Sequence, residues 1–226
     1  MAWLPLESNP EVMNKYLYNL GMPEKFQLVD VYGLDPDLLA TVPQPVLAVL
    51  LLFPCSDKYD EHKTKQEAEI AKKGQVISDK VFYVKQIVTN ACGTIALVHS
   101  VANNLEKIEL KDGHLKQFLD TAKTLTPEER GEILEKAEGI INAHKEVALE
   151  GQTEAPEPNE PVNYHFVAFV QKDGHLYELD GRKSFPVNHG STSEDSFLQD
   201  AAKICKEYMA RDPDELHFTV VALTAA

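Results

Sequence analysis

Cysteine and positive charge are both scarce in this sequence. Its 226 residues include three cysteines, Cys55, Cys92 and Cys205. An odd, widely spaced set argues against a disulfide framework and against a cysteine-rich zinc site. Asp and Glu number 36 against 22 Lys and Arg, which gives a net charge of −14. That average field repels a phosphate backbone, so we expect no nucleic acid as partner, whereas a basic protein or peptide would be attracted.

Long apolar runs are also missing. The longest, Val46–Phe53, has eight residues and is bracketed by prolines, whereas a membrane helix needs about 20. We therefore interpret this run as a buried strand and expect no membrane association. We find no secretory signal and no lipidation motif. Together with the unpaired cysteines, these absences predict a cytoplasmic protein.

Helix caps and apolar periodicity predict an α+β fold of one domain, residues 1–226. Predicted helices start at Asn9-Pro10, at Asp57, at Ala91 after an Asn90 N-cap, at Leu115, at the capping box Thr126–Glu129 and at a second capping box, Thr192–Asp195. They end near Gly21, Lys73, Ala102, Leu125, Leu149 and Arg211. Strands are predicted at Phe26–Val31, Val46–Phe53, Asn163–Gln171, His175–Asp180 and Leu216–Leu223. Helices dominate the first two-thirds and strands cluster late, which indicates a mostly antiparallel sheet flanked by helices.

Residues 150–161 differ from the rest of the chain. These twelve residues hold three prolines and four glutamates and have no apolar periodicity, which predicts a mobile loop. The hairpin and single helix that follow are too small for an independent core. We therefore expect a loop inside one domain rather than a linker between two, and loops of this length are often functional.

Cys92 is the candidate nucleophile. It lies at the first turn of a predicted apolar helix, where backbone N–H groups and the helix dipole can lower the pKa of a thiol from about 8.5 to about 3.5–7.5. Gln86, six residues earlier, offers a side-chain amide as a second oxyanion donor beside the Cys92 N–H. This spacing is similar to that of papain-like cysteine proteases. Cys205 lies on an apolar helical stripe and Cys55 follows a buried strand, so both are interpreted as packing residues.

A thiolate nucleophile needs a base, and His165 is the candidate among eight histidines. It interrupts an apolar strand, where a buried structural histidine is the alternative. If Asp173-Gly174 forms a two-residue turn, Lys172 pairs with His175, and paired positions sum to 347. His165 and Asp180 are then diagonal neighbours on one face, about 7–8 Å apart between backbones. A three-residue turn would reverse this parity.

The hairpin pattern also assigns the two faces of the predicted sheet. One face is apolar, with Phe166, Ala168, Val170, Tyr177 and Leu179, and the other carries His165, Glu178, Asp180 and Arg182. We predict a triad in which Cys92 is the nucleophile, His165 the base and then the acid, and Asp180 the orienting group. His62, His114 and His144 are expected to face solvent. No ligand spacing predicts a metal, and no glycine-rich loop predicts a nucleotide, so we expect no cofactor.

Three segments together resemble the active-site motifs of the ubiquitin carboxyl-terminal hydrolase family. They are residues 86–94 (QIVTNACGT), 163–170 (NYHFVAFV) and 175–183 (HLYELDGRK). The resemblance extends to residues 3–7 (WLPLE) and 211–216 (RDPDEL), and the chain resembles the short, single-domain members. It implies a papain-like core with a knotted backbone. It also implies thiol-dependent hydrolysis, through an acyl-enzyme, of the bond after the C-terminal glycine of ubiquitin.

The resemblance implies further site features. It gives Gln86, Cys92, His165 and Asp180 the roles described above, with the related modifier NEDD8 as a second substrate candidate. Glu7, Glu11 and Asp30 are at positions that resemble contacts to the arginine-rich tail of ubiquitin, although lone acids are also commonly just solvated. The loop at 150–161 corresponds to the family's active-site crossover loop, which would limit leaving groups to small or unfolded adducts. We expect the enzyme to be a monomer.

Three other functions are considered. The chain could be a ubiquitin-binding or stabilising protein with weak turnover, in which Cys92 and His165 stay apart until substrate binds. It could be a redox-active thiol protein, but no resolving cysteine is close to Cys92 in sequence. It could be a cysteine acyltransferase that uses the same triad, against which the acidic charge and the motifs argue.

Overall fold

A computed structural model describes residues 3–152 and 162–225. Its helices are α1 (Pro10–Leu20), α2 (Pro36–Leu39), α3 (Asp57–Lys73), α4 (Cys92–Ala102), α5 (His114–Ala122), α6 (Pro127–Glu135), α7 (Glu138–Ala148) and α8 (Phe197–Arg211). Its strands are β1 (Phe26–Asp30), β2 (Val46–Pro54), β3 (Tyr164–Lys172), β4 (His175–Leu179), β5 (Val187–Ser191) and β6 (Thr219–Ala225). No helix in these two ranges is long and apolar enough to cross a membrane.

The strands form one six-stranded sheet in the order β1-β6-β2-β3-β4-β5, and every neighbouring pair is antiparallel. Helices cover both faces. One core cluster joins α1, α4, α5 and α7 to the sheet, and the other joins α2, α3 and α8. This confirms the predicted α+β class with an antiparallel sheet flanked by helices.

The hairpin β3–β4 has the predicted register. Lys172 pairs with His175 and Ala168 pairs with Leu179, so paired positions sum to 347. Asp173 and Gly174 have φ values of 47° and 75°, and positive values at both residues are what a tight type I′ hairpin turn requires. The two-residue turn therefore fixes which side chains share a face with His165.

The face of the hairpin that carries His165 is more apolar and more buried than predicted. Phe166, Ala168 and Val170 pack on the α4 side as expected. However, Val167 and Phe169 are fully buried on the other face, in the cluster covered by α8. The polar groups of that face are thus enclosed by protein rather than by water.

Several predicted helix boundaries are wrong. The helix expected over 127–149 is two helices, because α6 packs against α5 whereas α7 packs against α1. Asn90 is not an N-cap, since it has a φ of 64° and α4 begins after Ala91. The capping box at 192–195 does not form. Instead the Thr192 hydroxyl donates to Asp200, and α8 begins after Ser196. The strand β5 was not predicted.

The predicted loop at 150–161 is described only at its first three residues. Glu150 pairs with Lys15 of α1, with an Nζ–Oε2 distance of 2.7 Å. The backbone N–H of Gln152 donates to the Glu7 carboxylate at 2.8 Å. Residues 153–161 lie outside the described residues.

Candidate active site

Cys92 is the first residue of α4, a helix whose eleven residues are all buried. The N-cap residue Ala91 offers no side chain to the first-turn N–H groups. They remain available to stabilise a negative charge at Cys92. Gly93 permits close packing here, because a Cβ atom at this position would lie 2.9 Å from Leu6 Cβ and 3.5 Å from the Phe166 ring. The nucleophile candidate is thus held tightly between the N-terminal segment and β3.

His165 and Asp180 are in direct contact. His165 Nε2 lies 2.6 Å from Asp180 Oδ1, and both side chains are completely buried. Asp180 accepts two more hydrogen bonds, from the Tyr59 hydroxyl to Oδ2 at 2.5 Å and from the Arg182 backbone N–H to Oδ1 at 2.9 Å. Three donors therefore fix the carboxylate, and the carboxylate fixes the imidazole ring.

The pKa values of the three groups favour a charged arrangement. Burial would raise the pKa of the Cys92 thiol, but the neighbouring His165 outweighs it and the pKa lies below its ordinary value. Burial would lower the pKa of His165, but the Asp180 carboxylate raises it to about 9. Burial would raise the pKa of Asp180, yet His165 holds it at about 2. A thiolate, an imidazolium and a carboxylate thus stabilise one another.

The second nitrogen of His165 is free for proton transfer. Nδ1 is buried and forms no hydrogen bond within residues 3–152 and 162–225. His165 lowers the pKa of Cys92 and Cys92 raises the pKa of His165, although no hydrogen bond of ordinary length forms between Sγ and Nδ1. A base whose Nε2 is anchored and whose Nδ1 is unoccupied can exchange a proton with a thiol or a substrate atom.

Gln86 is anchored to the same turn that carries Asp180. Its backbone N–H donates to the Gly181 carbonyl at 2.8 Å, and its side-chain Nε2 donates to the Val88 carbonyl at 3.0 Å. The amide has two hydrogens, so one remains for another acceptor. A Cβ atom on Gly181 would lie only 2.9 Å from Gln86 Cβ. The close approach of the turn to Gln86 therefore requires a glycine at this position.

Two neighbours of the site were not identified from the sequence. Tyr59 is the one aromatic residue on the polar helix α3, and this was the signal that could have identified it. Cys55, interpreted as a packing residue, is half-buried beside the site, and its Sγ accepts from Arg182 Nη1 at 3.3 Å. Burial raises the pKa of Cys55 to about 11, and the charges of Asp180 and Cys92 add to this effect.

The expected exposure of the three polar-segment histidines is only partly right. His114 is exposed and His62 is half-buried, and burial lowers the pKa of His62 to about 4. His144 is buried, because the N-terminal segment and α1 cover α7. Its Nδ1 lies 2.8 Å from the Thr94 hydroxyl of α4, and its Nε2 lies 2.6 Å from the Leu4 carbonyl. His144 therefore ties two segments, α7 and the N-terminal segment, to the helix that carries Cys92.

The three candidate substrate-binding acids lie on different elements. Glu7 is half-buried and accepts the hydrogen bond from Gln152. Glu11 is exposed in the first turn of α1, and Asp30 is half-buried at the end of β1.

Comparison with known proteins identifies relatives over the full chain. The family model "Ubiquitin carboxyl-terminal hydrolase, family 1" matches residues 3–210. A ubiquitin carboxyl-terminal hydrolase of Drosophila melanogaster is 52% identical over 226 residues, which cover 100% of this chain and 99% of the relative. Ubiquitin carboxyl-terminal hydrolase isozyme L1 of Rattus norvegicus is 49% identical, with 100% of both chains covered.

A solved structure shares the fold. The catalytic domain of Trichinella spiralis UCH37, bound to ubiquitin vinyl methyl ester, has a TM-score of 0.79 and 23% identity, with 100% of this chain and 96% of that chain covered. With a family model over most of its length and relatives of about 50% identity from end to end, the chain belongs to the ubiquitin carboxyl-terminal hydrolase family, and it is a deubiquitinating hydrolase of the cysteine-peptidase class.

Proposed function

We propose that the enzyme cleaves small or unstructured adducts from the C-terminal glycine of ubiquitin, with Cys92, His165 and Asp180 as its catalytic triad. One observation carries the proposal. Cys92 stands at a buried helix N-terminus next to His165, whose Nε2 is held 2.6 Å from Asp180 Oδ1. This combination activates a thiol and provides it with an oriented base.

The reaction proceeds in two steps. The Cys92 thiolate attacks the glycine carbonyl, and the developing oxyanion accepts hydrogen bonds from the Cys92 N–H and from the Gln86 amide. His165 donates its proton from Nδ1 to the leaving amine, which departs and leaves an acyl-enzyme. Water then attacks the acyl-enzyme, with His165 as general base, and releases the ubiquitin carboxylate and the free thiol.

Charge supports ubiquitin as the substrate. The net charge of −14 attracts the arginine-rich ubiquitin tail, and Glu7, Glu11 and Asp30 are the proposed tail contacts. The relative solved with ubiquitin vinyl methyl ester has the same fold. NEDD8 is the second substrate candidate. We also propose a single-domain, cytoplasmic monomer, which the three free cysteines suit.

The test is release of a fluorogenic amide from the C-terminus of ubiquitin. Wild type should turn over rapidly and Cys92→Ala should not, while Cys205→Ala, a buried thiol on α8, serves as the matched control. Equal turnover by wild type and Cys92→Ala would rule out the triad. A NEDD8 amide measured in parallel decides between the two modifiers.

A second function is favoured by one observation. No hydrogen bond of ordinary length joins Cys92 to His165 Nδ1 in the described chain, and a pair that stays open with substrate bound would leave a ubiquitin-binding or stabilising protein with weak turnover. A folded wild type that binds ubiquitin but releases no fluorophore would support this alternative.

We propose that the loop at 150–161 limits the size of the leaving group. Near its start, Glu150 pairs with α1 and Gln152 donates to Glu7. Its end lies four residues before His165 in the sequence. Lengthening the loop should speed cleavage of folded ubiquitin adducts and leave small amides unaffected. Unchanged rates on folded adducts would contradict the role of the loop.

A further inference from the structure

A buried polar cluster lies behind the candidate triad and takes no direct part in the proposed reaction. Glu178 of β4 and Lys183 are both fully buried, with Lys183 Nζ 3.0 Å from Glu178 Oε2. Lys183 Nζ also donates to Gln66 Oε1 of α3 at 2.8 Å. The Glu178 carboxylate further contacts His189 Nε2 at 3.1 Å and the hydroxyl of Tyr208 on α8. We name these five residues the Lys183 cluster.

The cluster is tied to the active site through one tight turn, Asp180–Lys183. The Lys183 backbone N–H donates to the Asp180 carbonyl at 2.9 Å and closes the turn. The Lys183 carbonyl accepts from the Tyr83 hydroxyl at 2.5 Å and from Lys85 Nζ at 2.6 Å. Lys183 is therefore anchored by its backbone and by its side chain.

The same turn positions two residues of the proposed mechanism. Asp180, at its start, holds His165, and the carbonyl of Gly181 holds the backbone of Gln86. A shift of this turn would therefore move two groups at once. It would move Asp180, which orients His165, and it would move Gln86, the oxyanion donor.

A stabilising role alone explains the buried ion pair poorly. Removing two charges from water is costly, and well-packed apolar side chains of similar volume often give equal or greater stability. An ion pair does supply direction, because its hydrogen bonds have fixed geometry. Burial raises the pKa of Asp180, His165 lowers it most, and the Lys183 ammonium lowers it further.

We propose that Lys183 is a positioning residue for the hydrolysis, because its ammonium, held by Glu178 and Gln66, fixes the Asp180–Lys183 turn and thereby both His165 and Gln86. This inference rests on the proposed triad. It predicts that loss of the ammonium lowers kcat and leaves KM for ubiquitin unchanged, since the ubiquitin-binding surface is not altered.

The experiment compares Lys183→Met, the double variant Glu178→Gln/Lys183→Met, and the control Lys172→Met at the far end of the same hairpin. Lys183→Met leaves the buried Glu178 carboxylate without its ammonium partner, so it should lower both stability and kcat. The double variant removes both charges and should regain the melting temperature of wild type. Its kcat should stay at least about tenfold low, since misplacement by about 1 Å can cost as much as 10²-fold. Lys172→Met should keep the kcat of wild type.

A readout independent of turnover is the rate of Cys92 alkylation by iodoacetamide as a function of pH. If the turn positions Asp180, His165 stabilises the thiolate less well in the double variant, and the alkylation profile moves to higher pH. A double variant with the kcat and alkylation profile of wild type would overturn the inference and show that Lys183 only compensates Glu178. An effect of Lys172→Met equal to that of Lys183→Met would overturn it as well.

A milder variant covers the case in which the double variant does not fold. Gln66→Met keeps the ion pair and removes one acceptor of the ammonium, so it should give a smaller fall in kcat at constant KM. Unchanged kcat in Gln66→Met would then overturn the positioning role. Failure of the triad itself is distinguishable, because Cys92→Ala would remain active and the wild-type alkylation profile would show an ordinary thiol.

Discussion

Replacement of Asp180 by asparagine tests the electrostatics of the site most directly. The substitution keeps the size of the side chain and removes its charge. Asp180 Oδ1 contacts His165 Nε2 at 2.6 Å, and its charge is the main reason that the His165 pKa reaches about 9. We therefore expect Asp180→Asn to lower the pKa of His165.

The magnitude follows from the pKa of His165. A value of about 9 lies well above the ordinary value of 6.5, which corresponds to about 3 kcal/mol in favour of the imidazolium. Burial lowers this pKa and Cys92 raises it to a smaller extent than Asp180, so without the carboxylate the pKa should fall back towards 6.5. If it returns to 6.5, the protonated fraction at pH 8 falls from about 90% to about 3%, an approximately thirtyfold loss of the reactive ion pair.

The direction of the pH dependence is fixed by the two titrating groups. Activity appears as pH rises through the lowered pKa of Cys92 and disappears as pH rises through the raised pKa of His165. Because the two groups interact, each limb of the profile belongs to the pair. The wild-type profile of kcat/KM should thus have an alkaline limb near pH 9.

The assay is kcat/KM for the fluorogenic ubiquitin amide between pH 5 and pH 10. Asp173→Asn is the matched control, since it makes the same change at the exposed turn of the same hairpin. The control should keep the limb near 9, and Asp180→Asn should lose activity by about thirtyfold at pH 8. An Asp180→Asn enzyme with its alkaline limb still near 9 would refute the proposed electrostatics.

Three further predictions concern neighbouring contacts. Gly181→Ala should push Gln86 away, because the new Cβ would lie 2.9 Å from Gln86 Cβ, and should lower kcat by up to about 10²-fold in steady-state assays. Tyr59→Phe removes a donor from Asp180 and should cost about 1.5–3 kcal/mol in urea unfolding. Burial lowers the pKa of His99 to about 3, so His99 stays neutral in the folded protein while it takes up a proton in the unfolded chain. The free energy of unfolding should therefore fall by up to about 5 kcal/mol as pH falls from about 6.5 to 3.

Each of these predictions has a control. Gly33→Ala places a Cβ against the end of the exposed Leu38 side chain, so it should leave kcat unchanged. Tyr18→Phe removes a hydroxyl from a backbone carbonyl away from the site and should cost about 0.5–1.5 kcal/mol. A His99→Gln variant should show a flatter loss of stability between pH 6.5 and 4, and an unchanged slope would contradict the assignment to His99.

The parts of the site that follow from local chemistry were predictable. The Asp173-Gly174 turn determines the register of β3 and β4, and the register brings His165 and Asp180 to one face. The Cys92 position followed from an apolar helix start, although the cap residue is Ala91 rather than Asn90. Both predictions depend on contacts between residues close in sequence or related by one short turn.

The missed features depend on packing between distant segments. Tyr59 reaches Asp180 across 121 residues of sequence, and His144 is buried by an N-terminal segment 140 residues away. A local pattern can mark a residue as unusual, as the lone aromatic on α3 does for Tyr59, but it does not identify a partner so distant in sequence. The split of the predicted helix at 127–149 has the same origin, because its two halves pack on different helices. The knotted backbone implied by the family resemblance stays a prediction.

The position of β6 has a consequence for how the protein is made. This strand, Thr219–Ala225, lies between β1 and β2, and Phe26 pairs with Ala225, nearly 200 residues later. Until β6 has emerged from the ribosome, β1 lacks the strand it pairs with in the described sheet, and the edge of β2 that β6 covers is open. Such distant pairing is slow to form, and an unpaired apolar edge invites aggregation. The nascent chain should therefore depend on chaperones until β6 has been synthesised.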